Sequence, residues 1–218
     1  MDISALFKLS YGVYIIGVKD GERNAGCVVT TVSQSTSKPV TVTVCVNKEN
    51  YTNACIKKTS MFSVSVLSES VKESIIGTFG FSCSKDKDKF SGISSGLTKS
   101  GVPYVKEGVT AVLQCKVIEF FENFTHTIFI GEVQEAQNLS GEKPMTYDYY
   151  HKVIKGKAPK TASTYVEEIQ QPQSSGGFFK CSICGYEHKM TKEEFDSLPN
   201  DYKCPMCQVE KSLLIYNS

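Results

Sequence analysis

Cys181-Ser-Ile-Cys184-Gly185-Tyr186, followed by Leu198-Pro199-Asn200-Asp201-Tyr202-Lys203-Cys204-Pro205-Met206-Cys207, is the stretch that decides the architecture of this chain. Two residues between thiols let both sulfurs of a pair face one ion, and two such pairs complete a tetrahedron of thiolates. Nineteen residues separate Cys184 from Cys204, inside the range read as a zinc site. Spacing by itself leaves the ion open between a structural zinc and a redox-active iron. A tail of about forty residues buries little apolar surface, so a module built on these pairs must draw much of its folding energy from metal. Upstream, residues 166–177 read VEEIQQPQSSGG, a polar run with one proline that ends in Ser-Ser-Gly-Gly. That composition predicts a flexible linker spanning roughly 20 Å. The expected organisation is a large domain over 1–165, a linker over 166–177 and a small module over 178–218.

The 218 residues carry a formal net charge of +1, and no basic face marks the chain for nucleic acid. No stretch approaches eighteen apolar residues, so no membrane span is expected. The start, Met-Asp-Ile-Ser-Ala-Leu-Phe-Lys, lacks the basic and apolar regions of a secretory signal. A reducing, cytoplasmic location follows as the expectation. The sequons at Asn50, Asn123 and Asn138 then read as chance matches. Of nine cysteines, the five outside the two pairs do not form a disulfide framework. Cys27, Cys45 and Cys115 fall in strand-like runs as small buried hydrophobes, Cys55 on a helix, and Cys83 in a polar, exposed loop.

The large domain reads as mainly β. Residues 11–18, 26–32, 40–46, 61–67, 109–121 and 127–133 are apolar and β-branched, several with period-two alternation. Two helices are expected, one over 51–58 with Asn50 as its N-cap and one over 70–78. Many strands and few helices predict a closed barrel with helical excursions. No glycine-rich fingerprint follows the first strand, which argues against a Rossmann site.

Two resemblances emerge from these motifs. The tail is similar to rubredoxin in its C-x-x-C-G-Y and L-P-x-x-x-x-C-P-x-C patterns, with Tyr202 and Gln208 standing where that family usually has tryptophan and glycine. The likeness implies one iron ion on Cys181, Cys184, Cys204 and Cys207, inside an aromatic shell of Phe179, Tyr186, Phe195 and Tyr202. Gly185 would let backbone amides turn toward sulfur. Residues 1–165 resemble the flavin reductase-like family and its FMN-binding split barrel. The series carrying this likeness is Gly26-Cys-Val-Val-Thr30-Thr31-Val-Ser33-Gln34, Asn47-Lys48-Glu-Asn50-Tyr51-Thr52, Met61-Phe62-Ser-Val-Ser-Val-Leu67, Phe79-Gly-Phe-Ser82, Asp86-Lys-Asp88-Lys89-Phe90 and His126-Thr-Ile-Phe-Ile-Gly-Glu-Val133. Tyr147-x-x-Tyr150 and Lys155-Gly-Lys-Ala-Pro159-Lys extend it.

On that resemblance Thr30, Thr31, Ser33 and Gln34 would meet the ring edge and ribityl chain of FMN. Asn47, Lys48, Asn50, Tyr51 and Thr52 would meet the phosphate at a helix N-terminus. Lys85, Asp88 and Lys89 stand where the family has a phosphate-binding run, here with Ser84 and Lys85 replacing a glycine and an arginine. The other reading of that run is a solvated loop. His126 would lie near the flavin face where nicotinamide stacks, whereas His151 and His188 read as surface residues. A flavin takes electrons in pairs and an iron held by four thiolates takes one. The fusion therefore implies an NAD(P)H:rubredoxin oxidoreductase, using NADH or NADPH, that passes electrons to a flavodiiron protein. A homodimer is the family's usual state. Two rival readings are a free-flavin or ferric reductase with a structural zinc tail, and an electron carrier reduced by another protein.

Overall fold

Alternating β-branched residues draw the first two-thirds of the chain into antiparallel strands. The structure, a computed structural model, describes residues 2–21, 23–154, 156, 158–159, 161–165, 177–188 and 190–217. The strands in order are β1 (Tyr14–Asp20), β2 (Arg23–Val29), β3 (Val32–Ser37), β4 (Val40–Asn47), β5 (Met61–Leu67), the short β6 (Ser95–Leu97) and β7 (Pro103–Val105), β8 (Val109–Asn123) and β9 (His126–Asn138). Seven of them make one sheet in the order β2-β1-β5-β8-β9-β4-β3, and β6 pairs with β7 alone.

The sheet curls round on itself. One buried cluster joins Ile16 and Val18 of β1, Cys27 of β2, Val44 of β4, Phe62 and Val64 of β5, Cys115 of β8 and Phe129 of β9. Bulges at Gln114/Cys115 and Val117/Glu119 bend β8 as it wraps. Helix α1 (Tyr51–Thr59) plugs this interior with Cys55 and Ile56. Asn50 caps it, its side-chain oxygen accepting from the Thr52 amide at 3.0 Å. The barrel is split rather than fully laced, because among the described residues no ladder joins its two edge strands, β2 and β3. The two sheet ends meet at Thr30–Thr31, which link β2 to β3.

Three expected elements shift. Residues 11–13 do not open β1, since Tyr11 and Val13 bond instead to the Met145–Tyr147 segment (Tyr147 N–H to the Tyr11 carbonyl, 2.8 Å). The run 26–32 breaks at the seam into β2 and β3. The second helix, α2 (Glu73–Phe81), starts three residues late. Ser68 and Ser70 pair their hydroxyls at 2.8 Å, and Ser70 donates to Glu142 at 2.7 Å, which holds this segment in a turn.

The free edge of β2 is covered at Gly26. Its amide donates to the Ser84 hydroxyl at 3.0 Å, and its carbonyl accepts from Ser84 at 3.1 Å and from the Lys89 ammonium at 2.9 Å. A second core lies outside the barrel, where Val13, Ile15 and Leu67 meet Ile75, Ile76 and Phe79 of α2 and Tyr150 of α3 (Tyr147–Lys152).

The same core takes in the tail, through Phe179, Phe195, Met206 and the cysteines. There β10 (Phe178–Cys181), β11 (Glu187–His188) and β12 (Leu214–Asn217) form a three-stranded sheet in the order β11-β10-β12. Helix α4 (Lys192–Ser197) starts in a reciprocal cap between Thr191 and Glu194. Phe179 stacks on Phe195 with ring centroids 3.6 Å apart. The expected linker, 166–177, lies outside the described residues except for Gly177.

Candidate functional site

At the seam the barrel leaves a cleft enclosing about 690 Å³ of empty space, part of it open to solvent. Val28, Val29, Val46, Phe79 and Phe81 give it apolar walls, and Thr30, Asn47, Asn50 and His126 give it a polar rim. Tyr147 and Tyr150 on α3 close one side. Residues 158–159 and 161–163 form a strap across the mouth. Thr161 accepts from the Asn47 amide at 3.1 Å, Ser163 pairs with Thr31 at 3.4 Å, and Thr164 pairs with Thr30 at 3.3 Å.

Of the expected flavin contacts, Thr30, Asn47 and Asn50 line this cleft with His126, and Thr31 stands beside them. The rest point elsewhere. Ser33 and Gln34 are exposed along β3 and bond to neighbouring backbone. Lys48 pairs with Glu122 at 2.9 Å. The Tyr51 hydroxyl donates to Asp20 at 2.7 Å. Thr52, in the first turn of α1, is fully buried. Lys85 is exposed outside the cleft, and Asp88 caps the Phe90 amide at 3.0 Å. Lys89 is 2% exposed and spends its ammonium on the Gly26 and Phe79 carbonyls, at 2.9 and 3.0 Å. Residues 85–88 of its segment are the solvated loop that their charges suggested, whereas Ser84 and Lys89 on either side of it are buried. Those two residues form a staple on the β2 edge.

Reading the sequence missed Tyr147, Tyr150 and the strap as parts of the cleft. Their signal was present in Tyr147-x-x-Tyr150, two rings about one helical turn apart on a single face. The Tyr147 hydroxyl is buried, with Thr164 of the strap beside it. Burial raises its pKa, so it stays a neutral donor. The His126 Nδ1 lies 2.9 Å from the Thr125 hydroxyl. Burial lowers the His126 pKa, and the Thr161 carbonyl partly offsets this. Cys27 lies in the floor, its thiol pushed up to about 11 by burial and so inert at neutral pH.

The tail gathers Cys181, Cys184, Cys204 and Cys207 so that their sulfurs all lie within 4.8 Å of one another. Cys181 and Cys207 are 3.6 Å apart at sulfur, and Cys184 and Cys204 are 3.7 Å apart. A tetrahedron with metal–sulfur bonds of about 2.3 Å has sulfur–sulfur edges of roughly 3.8 Å, so the cage fits one such ion. It does not fit disulfides, whose sulfurs sit about 2.0 Å apart. Hydrogen bonds from the Cys184 and Cys207 thiols hold the Cys204 thiol well below its ordinary pKa. Backbone amides of Tyr186, Cys207 and Val209 also face the sulfurs. These turns need left-handed residues just after each pair, Gly185 (φ 73°) and Gln208 (φ 62°). His188 corrects its expected surface position, being 4% exposed between the rings of Tyr186 and Tyr202.

Residues 6–156 match the family model of the flavin reductase-like domain. High molecular weight rubredoxin of Moorella thermoacetica is 39% identical over 223 aligned residues, covering 97% of each chain. Ferric-chelate reductase (NAD(P)H) of Archaeoglobus fulgidus is 42% identical, covering 77% of this chain and 99% of that protein. Among solved structures, the NADH:FAD oxidoreductase SgcE6 of Streptomyces globisporus superposes with a TM-score of 0.60 at 26% identity, over 65% of this chain and 83% of that one.

Proposed function

The chain belongs to the flavin reductase-like family, and from that membership we propose an NAD(P)H-dependent oxidoreductase holding FMN in the seam cleft and one iron ion on Cys181, Cys184, Cys204 and Cys207. The observation that carries this reading is the preformed thiolate cage on the same chain as the cleft. When bound, FMN accepts a hydride's two electrons and yields them singly, and the iron accepts one at a time.

The chain's own residues supply the rest. The apolar walls suit the faces of a flat ring and exclude water, and the buried Tyr147 hydroxyl offers a donor to a polar edge. Thr30, Asn47 and Asn50 suit ribityl and phosphate oxygens. His126, kept neutral by burial, orients the nicotinamide at the rim. In the tail, Phe179, Tyr186, Phe195 and Tyr202 shield the thiolates. A metal there would be held by the four sulfurs as thiolates, so its binding releases protons.

Two finer points belong to the same proposal. The outward electron acceptor is a soluble flavodiiron protein, a partner implied by the family resemblance of the tail. A second copy of the chain covers the end of the β8–β9 hairpin, where Ile118, Phe120, Phe121 and Phe124 are exposed. The likeness to the ferric-chelate reductase favours a second reading, in which ferric chelates are reduced at the barrel and the tail holds zinc.

Anaerobic stopped-flow mixing with NADH and with NADPH separates these readings. The expected outcome is bleaching of the flavin absorbance followed by loss of the red iron–thiolate band. In Cys204→Ser, flavin bleaching should persist while reduction of the acceptor stops. A colourless, zinc-filled tail that leaves acceptor reduction intact would defeat the reading.

A further inference from the structure

The tail meets the barrel at α2, and the contact is built around a missing side chain. A Cβ on Gly77 would overlap the Met206 carbonyl oxygen and lie 3.1 Å from the Cys207 Cα. Gly77 sits in the middle of a nine-residue α-helix, with ordinary helical backbone. Nothing in its conformation calls for glycine, and alanine is the better helix former. The close approach of the second cysteine turn is the reason that remains. Met206, flanked by Cys204 and Cys207, is 1% exposed. Its thioether takes the Tyr150 hydroxyl at 4.0 Å. Tyr150 and Ile76, the neighbour of Gly77, both line the seam cleft. Tyr150 therefore touches the cleft on one side and the second cysteine turn on the other.

We propose that α2 is a built docking site for the chain's own second cysteine turn, with Gly77 the residue that determines the fit. The two sites then face each other across Ile76 and Tyr150 within one polypeptide. What passes between them rests on the function proposed above; the docking itself does not. A turn arriving from another molecule would have to displace one tethered at high effective concentration.

The test uses the full-length, isotope-labelled chain loaded with cobalt(II) or with zinc, since either ion fills a four-thiolate cage whatever the natural metal. Docking predicts that paramagnetic cobalt broadens the amide signals of residues 73–78 relative to the zinc form. Gly77→Ala should relieve that broadening, and its 73–78 amides should exchange with solvent roughly tenfold faster despite alanine's better helix propensity. Signals of 73–78 identical in the two wild-type metal forms would overturn the proposal, as would wild-type broadening and exchange in Gly77→Ala. Should that variant fail to fold, the wild-type comparison still decides. Absence of flavin or iron from the natural protein would sink the functional reading and leave this broadening unchanged.

Discussion

A lysine only 2% exposed has given up most of its hydration and must recover it from partners. Lys89 does so on the Gly26 and Phe79 carbonyls, and burial lowers its pKa. Lys89→Met keeps the aliphatic stem but orphans part of that polar network. The expected loss is about 1–3 kcal/mol in a denaturant melt, with flavin affinity unchanged in the folded protein. A variant of normal stability that had lost flavin would restore the phosphate-clamp reading. Gln208 at φ 62° pays for a side chain where glycine would not. Gln208→Gly should therefore slow metal loss to a chelator and stabilise the tail by about 0.5–1 kcal/mol. His126 has a pKa below the ordinary value of about 6.5. Its protonation favours the unfolded chain, so this contribution to stability is complete above pH 6.5 or so and declines as pH falls toward the folded pKa. An imidazole NMR titration, paired with melts of His126→Gln, checks the sign. At this scale the cysteine pairs were legible because spacing alone encodes their geometry. Lys89 was not, because a charge in a polar run reads the same whether it faces water or a sheet edge.

Elements were legible where the local chemistry is complete within the segment. Asn50 announces α1 because an amide acceptor before Tyr51 suffices to start it. Asn50→Ala should cost about 1 kcal/mol of stability and also weaken flavin binding, since the same residue lines the cleft; calorimetry and a flavin titration separate the two effects. The onset of α2 was not legible, because it is set by Glu142 reaching Ser70 from 72 residues away. The break at Thr30–Thr31 was legible only in part, since these residues read both as a strand end and as the interior of a strand over 26–32. A β-branched pair reads as strand, and only closure of the sheet turns it into a seam. The exposed aromatics at the tip of β8–β9 lead to a prediction of their own. Phe121→Asp should lower the solution mass toward that of a single chain, measured by light scattering, while leaving the far-ultraviolet spectrum intact.

At the level of the whole molecule, the barrel interior and the outer core are separate clusters, and only the outer one includes the tail. Stripping the metal should therefore disperse the NMR signals of residues 178–217 toward random-coil positions and perturb α2, while the amides facing the barrel interior keep their shifts. Composition and motif order made the mainly β barrel with its metal-bearing tail readable from the chain. The packing of that tail on α2 was not readable, since nothing local distinguishes Gly77 from any other helix glycine.

A curved sheet with a seam still has two raw margins, and raw margins recruit foreign strands. One is sealed by Ser84 and Lys89 on Gly26. The other, β3, shows solvent mostly serine, threonine and glutamine side chains and offers little apolar grip. A split barrel thus gains the resistance to fibril growth that full closure would have given it, and concentrated stocks should remain clear and thioflavin-negative on prolonged storage.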